Sequence, residues 1–496
     1  MIDATHRNTA LLVAGCFFME MLDGTIVTTA APQIGRSLGA PPTAIGLVVT
    51  AYLLTLAVLI PLSGWLTRRL GNRVIFLTAI ALFTLASIGC AASVNLGMLV
   101  GMRVLQGAGG AMMVPVGRTM VISRAAKEDL LRVTSYVVWP GLLAPVIAPL
   151  AGGLITTYAS WHWMFLINVP LGVIAFCAAW RLVTDGPAAS GAPPPLDWAG
   201  VVLTCLGLGG LTYGAHLVAL PAPPALLTAV FLPGSAALLT AAALHLRRTA
   251  FPLLNLRTLG VPTFRVTQAG VIAYWLVCGA VPFLLPLMFQ TQFGWSPVKS
   301  GAVTAFVFAG NVGIKPATTP LINRFGFRAV LLAATGGTTV AVAVLGFTSA
   351  ATPIAVIAGL SLITGVTRSV GFTVYSTVGL ADMPPELMRD ANTLAATSTQ
   401  LAGGLAIAVA TVALRIGGAF GAGLTAYTVA FCLLALIAAG TAAEALRMDR
   451  TAGAAARRQR TPAPAAATRD QPLPRRPTLP LLIFVSVLVL FASVLS

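Results

Sequence analysis

Glu20 and Asp23 stand in the stretch FFMEMLDGTIVTTAAP (residues 17–32), inside an apolar segment that begins near Thr9. Three residues apart on a helix, they share one face, expected toward a central cavity. A carboxylate near the centre of a bilayer costs about 3 kcal/mol on insertion scales, so two of them require a use. Arg103, with Gln106 one turn later in LVGMRVLQGAGGAMMVPVGR, is the complementary problem, because a guanidinium inside a membrane calls for a partner. Glu20 and Asp23 are the only acids well within an apolar run, so the simplest arrangement pairs Arg103 with the first helix, directly or through water; the alternative is that it snorkels outward. Burial and a second nearby acid favour the neutral carboxyl, while a guanidinium favours the carboxylate. Balanced in that way, the acids can take up and release a proton near physiological pH. The bland alternative is an acid pair merely hydrogen-bonded within a bundle.

Two further basic residues lie in apolar runs without acids nearby in sequence: Lys315 in GNVGIKPATTP and Arg368 in GVTRSVGF. Each either reaches the membrane surface or faces a cavity, where it would disfavour cationic ligands and favour neutral or anionic ones. Thr25 is one more candidate for lining such a cavity. Nothing reads as an enzyme. The three lysines include none in a G-x-x-x-x-G-K-[ST] loop, so no nucleotide drive and no cofactor are expected. The six cysteines lack CxxC pairing and the four histidines form no ligand-like cluster, so no metal site is expected.

The elements that hold these residues are set by composition. The 496 residues are 57% hydrophobic and 9% charged, with a mean hydropathy of +0.91. Apolar runs of roughly 20 residues, each able to cross the hydrocarbon core, recur from end to end. The chain is therefore an all-α polytopic membrane protein with about fourteen spans between residues 8 and 444. No cleavable leader is expected, because acids interrupt the first apolar run. The net charge of +17 does not point to nucleic acid. With the N-terminus cytoplasmic, Arg68, Arg69, Arg73, Arg124, Lys127, Arg132, Arg247, Arg248, Arg324 and Arg328 all fall at the inner ends of spans, while Arg36, Lys299 and Arg415 fall outside. That asymmetry follows the positive-inside rule and makes the lipid bilayer, not nucleic acid, the partner of the charge.

The sequence also repeats. WLTRRLGNRV (65–74) returns as PLINRFGFRAV (320–330), each time closing the second span of a six-span block. Two parallel repeats result: an N-terminal six-helix bundle over 8–183 and a C-terminal one over 266–444. Residues 184–265 hold a linker and two inserted helices, the seventh and eighth spans. A basic Pro/Ala-rich tail, expected to be disordered, covers 445–478, and an apolar segment over 479–496 either crosses the membrane again or lies against it.

Four further stretches complete the pattern. GWLTRRLGNR carries Gly64, Arg69, Gly71 and Arg73 into a tight cytoplasmic turn. RVLQGAGGA carries Arg103, Gln106 and Gly107, its glycines suiting close helix packing better than a dinucleotide site. WPGLLAPVIAPLAGGLI puts Pro140, Pro145 and Pro149 with Gly141, Gly152 and Gly153 in one span, as a kink for packing or a hinge between bundles. WHWMFLINVPLG (161–172) follows. Together with LDGTIVTTAAP, these resemble the motifs of the major facilitator superfamily, in its fourteen-helix drug–proton antiporter branch. Thr28, Ala31, Arg68, Ala144 and Ala148 depart from that branch's usual residues. The resemblance covers roughly residues 10–445 and its fifth-helix motif separates exporters from importers.

What the resemblance implies is a proton-coupled secondary exporter of small amphipathic drugs or toxic compounds across the cytoplasmic (inner) membrane. Asp23, Glu20 and Arg103 would be its coupling residues, and two bundles would rock about a midplane site. The alternatives are a dedicated exporter of an endogenous metabolite or siderophore, and a non-transporting membrane sensor on the same fold. A periplasmic adaptor stays open.

Overall fold

The computed structural model describes residues 4–123, 130–183, 195–219 and 224–447. The Arg124–Lys127 loop, most of the 184–195 linker, the basic tail beyond 447 and the 479–496 segment lie outside the described residues. A backbone in hydrocarbon must satisfy its own N–H and C=O groups, and the chain does so with helices. The first block comprises α1 (Ala4–Ser37), α2 (Gly46–Leu70), α3 (Asn72–Ala91), α4 (Leu96–Ser123), α5 (Leu130–Tyr158), the single turn α6 (Trp163–Leu166) and α7 (Asn168–Leu182). An antiparallel hairpin, α8 (Trp198–Ala219) and α9 (Ala225–Arg248), follows. The second block comprises α10 (Pro262–Thr291), α11 (Pro297–Gly313), α12 (Lys315–Phe325), α13 (Phe327–Gly346), α14 (Ile354–Ala381), α15 (Met388–Phe420) and α16 (Leu424–Arg447).

Among the described residues, 13 helical stretches are long and apolar enough to cross a membrane. The crossing expected over 299–320 is not one of them, because it is broken into α11, of 17 residues, and α12, of 11. Pro316 is the physical reason. It has no N–H to give to the Val312 carbonyl, and its ring crowds the preceding turn, so the helix stops at Gly313 and restarts at Lys315. α11 and α12 in series make the remaining crossing, giving two six-span bundles and the inserted hairpin.

The bundles meet through small residues and backbone. A Cβ added at Gly301 of α11 would run into the Pro149 carbonyl of α5, and one added at Gly153 of α5 would lie 2.5 Å from the Pro297 carbonyl oxygen. Thr50 of α2 donates its hydroxyl to the Gly404 carbonyl of α15 at 3.2 Å, and Gln290 of α10 donates to the Thr29 carbonyl of α1 at 2.8 Å. These contacts gather toward the end of the molecule where α1 finishes and α2 begins. The inserted hairpin rests on both bundles through α8, which packs on α2 and α15, with Leu208 against Leu54 and Val58.

Its other end is pinned by Asp197, just ahead of α8. That carboxylate accepts from the Gly200 amide at 2.8 Å and the Leu253 amide at 3.2 Å, and pairs with His245 Nε2 at 2.6 Å. Burial opposes ionisation of Asp197, but these donors outweigh it and hold the carboxyl below the usual aspartate range.

Candidate functional site

Asp23 and Arg103 meet in the interior of the first bundle, both side chains fully buried. Arg103 Nη1 donates to Asp23 Oδ2 at 2.5 Å and to Gln106 Oε1 at 2.7 Å, and Arg103 Nε donates to the Val48 carbonyl of α2 at 3.3 Å. The second carboxylate oxygen, Asp23 Oδ1, accepts from Gln106 Nε2 at 2.9 Å and from Asn168 Nδ2 of α7 at 2.7 Å. Gln106 also donates to Ser87 Oγ of α3 at 2.8 Å. The guanidinium carbon lies 4.3 Å from the Tyr52 ring centroid and 5.6 Å from that of Phe165, so aromatic faces cover what hydrogen bonds do not. Donors from α4 and α7 thus converge on the carboxylate of α1, each of its oxygens has a partner, and α2 and α3 hold the donors from behind. Such a network holds the carboxylate in place, although Arg103 Nη2 and Asn168 Oδ1 are buried without hydrogen-bond partners.

Glu20 has no such enclosure. It is buried, at 5% exposure, and its Oε2 has no hydrogen-bond partner. The Tyr52 hydroxyl is likewise buried and without one. Both border the same spot on α4: a Cβ added at Gly110 would lie 3.2 Å from Tyr52 Oη and 3.7 Å from the Glu20 carboxyl carbon. The two acids share a helix face, as their spacing predicts, yet one is locked and the other unpartnered. Thr25 returns its hydroxyl to the Met21 carbonyl of its own helix at 2.9 Å and joins neither acid.

In the second bundle, Arg368 is half-buried between aromatic rings. Its guanidinium stands 4.6 Å from the Trp275 ring centroid of α10 and 5.6 Å from that of Phe308 of α11, and Nη1 reaches the Cys278 carbonyl at 3.5 Å. That carbonyl is available because Pro282, four residues on, has no N–H to give it. Lys315 begins α12 at the break, on the crossing whose two pieces, α11 and α12, both pack against α14, the helix of Arg368. Neither contacts Asp23 or Glu20.

Helices in this number, in two repeated blocks about buried charges, invite comparison with known transporters. The family profile described as Major Facilitator Superfamily matches residues 13–407. The chain belongs to the major facilitator superfamily. Two relatives named "Putative multidrug resistance protein MdtD" are similar along most of its length. The protein from Pectobacterium atrosepticum is 36% identical over 414 residues, 83% of this chain and 88% of the relative. The one from Cronobacter sakazakii is 38% identical over 420 residues, 83% and 86%. Among solved structures, the POT family transporter PepTSo superposes with a TM-score of 0.62 at 14% identity, covering 90% of this chain and 99% of that one, a likeness of fold.

In this major facilitator chain the loop motif has a structural job in both repeats. Gly71 ends α2 at φ 84°, and Gly326 ends α12 at φ 83°, a left-handed geometry that a side chain would strain. Two residues later the arginines reach the last helix of their own block: Arg73 Nη2 donates to the Trp180 carbonyl of α7 at 3.2 Å, and Arg328 Nη2 to the Leu446 carbonyl of α16 at 2.6 Å. Each caps a helix C-terminus whose carbonyls lack intrahelical donors. Arg69 stacks on Trp65 at 5.2 Å, and Gly64 has open space around it, so neither joins the cap.

The glycines of the other motifs are spent on close approach. Gly107 sets α4 against the Tyr52 carbonyl of α2, Gly141 sets α5 against Phe17, and Gly152 sets α5 against the Ile26 carbonyl of α1. Pro145 and Pro149 lie within α5, which continues through them as one helix. Asn168, Ser87 and Tyr52 were not among the candidates read from the sequence. Asn168 lies in the quoted WHWMFLINVPLG stretch, and an amide in so apolar a run was the signal that could have found it.

Proposed function

We propose that the chain is a proton-coupled exporter of small amphipathic molecules in the cytoplasmic membrane, with its N-terminus cytoplasmic. The observation that carries this reading is the division of labour between the two acids of α1. Asp23 is tied to Arg103, Gln106 and Asn168, while Glu20 is buried one turn away with an unpartnered oxygen. A buried carboxyl without a partner is far cheaper to hold as the neutral acid than as the carboxylate. Glu20 is accordingly the site that loads and releases the proton, and Asp23–Arg103 is the fixed charge pair that senses its state. Changing the charge on Glu20 alters the field on Arg103 and the packing of α1 against α2 and α4. Each proton moving inward contributes about 2.3 kcal/mol per 100 mV of membrane potential.

With the N-terminus cytoplasmic, the gathered contacts between Gly153 and Pro297, Thr50 and Gly404, and Gln290 and Thr29 form an outer seal. Rocking the bundles about that seam exchanges access. The names of the two relatives support export of drug-like compounds. Reconstituted protein tests the reading: a pH gradient should drive extrusion of an amphipathic probe, and Glu20→Gln should leave downhill exchange while removing the response to pH. Gradient-driven accumulation by the Gln variant at the wild-type level would reject it.

A further inference from the structure

Arg103 shows what a buried arginine in this fold requires, namely a carboxylate and a polar network. Arg368 has neither. It is only partly exposed, its Nε is buried without a hydrogen-bond partner, and its one polar contact is a 3.5 Å approach to the Cys278 carbonyl. The acids of the described second block are Asp382, Glu386, Asp390 and Glu444. The first three follow the end of α14, with Asp382 already about 20 Å along the helix from Arg368 at 1.5 Å per residue. Glu444 lies in the last turns of α16, where a Cβ added at Gly270 would meet its carboxylate oxygens. A second cation, Lys315, stands at the break between α11 and α12, on the crossing that packs against the helix of Arg368.

The location is also informative. α11 and α14 are pressed together at Gly310 and Gly365, each of which meets the backbone of the other helix, so the broken crossing and Arg368 form one rigid wall. Trp275, beneath the guanidinium, packs at a tilt against Phe372, ring centroids 4.9 Å apart, and faces the first bundle. A Cβ added at Gly403 of α15 would lie 3.5 Å from Trp275 Nε1 and 3.8 Å from Leu53 of α2. The wall therefore lines the seam between the bundles. A helix interrupted at midmembrane beside such a seam is where transporters place ligand contacts. Two cations without a counter-ion among the described residues, beside the half-buried ring of Trp275, are an incomplete ion pair awaiting its partner.

We infer that Arg368 and Lys315 form an anion site and that the exported substrate is an organic anion, a carboxylate on an aromatic body, with the carboxylate on the two cations and the ring on Trp275. This rests on the exporter reading above and names the substrate class for it. A planar guanidinium already oriented by Trp275 and Phe308 presents its remaining N–H groups to a carboxylate in a fixed fork.

The experiment is calorimetric titration of the full-length protein in detergent with 1-naphthoate and with its cationic counterpart, 1-naphthylmethylammonium. Naphthoate should bind at least tenfold tighter than the cation. Arg368→Gln and Lys315→Gln should each weaken naphthoate at least tenfold without weakening the cation, and Arg368→Lys, which keeps the charge but not the fork, should fall between wild type and Arg368→Gln. Should the cation bind as tightly as naphthoate, or should both Gln variants elute as monodisperse protein with wild-type naphthoate affinity, the assignment is wrong. Naphthoate binding without any proton-driven flux would instead count against the exporter reading alone, and proton-driven flux confined to cationic probes against the anion site alone.

Discussion

Gly153 of α5 and Pro297 of α11 touch backbone to backbone across the two bundles, with the Pro297 carbonyl oxygen 2.5 Å from where a Cβ on Gly153 would stand. A neighbour made of backbone cannot swing aside as a side chain can. Gly153→Leu should therefore force the bundles apart at this seam and disfavour the closed conformation. Transport is expected to fall at least tenfold with membrane abundance within twofold of wild type, measured by efflux and quantitative immunoblot. Normal efflux would show that the seam is not needed for the cycle.

The acids of α1 should separate in two assays. Removing one partner of a buried ion pair leaves the other charge uncompensated, at a cost of about 3–5 kcal/mol. Asp23→Asn is thus expected to lower thermal stability in detergent and to abolish transport, since Arg103 loses its counter-ion. Glu20→Gln breaks no hydrogen bond made by Oε2, so its melting temperature should stay within a few degrees of wild type while pH-driven efflux disappears. Equal melting losses in both variants would erase the distinction drawn between the two acids.

Arg73 and Arg328 do the same work in the two repeats, so their loss should be comparable and additive. Each cap is a partly exposed, single hydrogen bond, expected to contribute about 1 kcal/mol. Arg73→Ala and Arg328→Ala should each lower the detergent melting temperature slightly, and the double variant by the sum. A double variant as stable as wild type would mean that the loop arginines act in topology alone.

Asp197 offers a pH test outside the spans. Because its folded carboxyl titrates below its ordinary value of 3.8, its contribution to stability is complete above that pH and is lost as pH falls through the lower folded value. Asp197→Ala should cost about 1 kcal/mol, as for a lost helix N-cap, at neutral pH. It should also flatten the stability profile in the acid range, read from melting temperature against pH. An unchanged acid limb in the variant would place the pH dependence elsewhere.

Composition alone determined that this chain crosses a membrane many times, because 57% hydrophobic residues in runs of about 20 have no other stable solution in water. The doubled WLTRRLGNRV and PLINRFGFRAV stretches determined the two-block plan, since a local turn with glycine at positive φ is written in adjacent residues. The meeting of Arg103 with α1 was also legible, because so few acids were on offer. What the sequence could not decide was any choice made by distant side chains. Nothing near Glu20 and Asp23 says that Asn168, 145 residues on, reaches one acid and not the other. Arg368 was compatible with a surface until the crossing of α10, α11 and α14 put Trp275 and Phe308 on its faces. Likewise, a crossing was expected to run unbroken over 299–320, through Pro316, and only the folded chain shows it as α11 and α12 packed in series against α14. Burial and charge are properties of a neighbourhood, and in this protein the neighbourhoods that carry function are assembled from helices far apart in the chain.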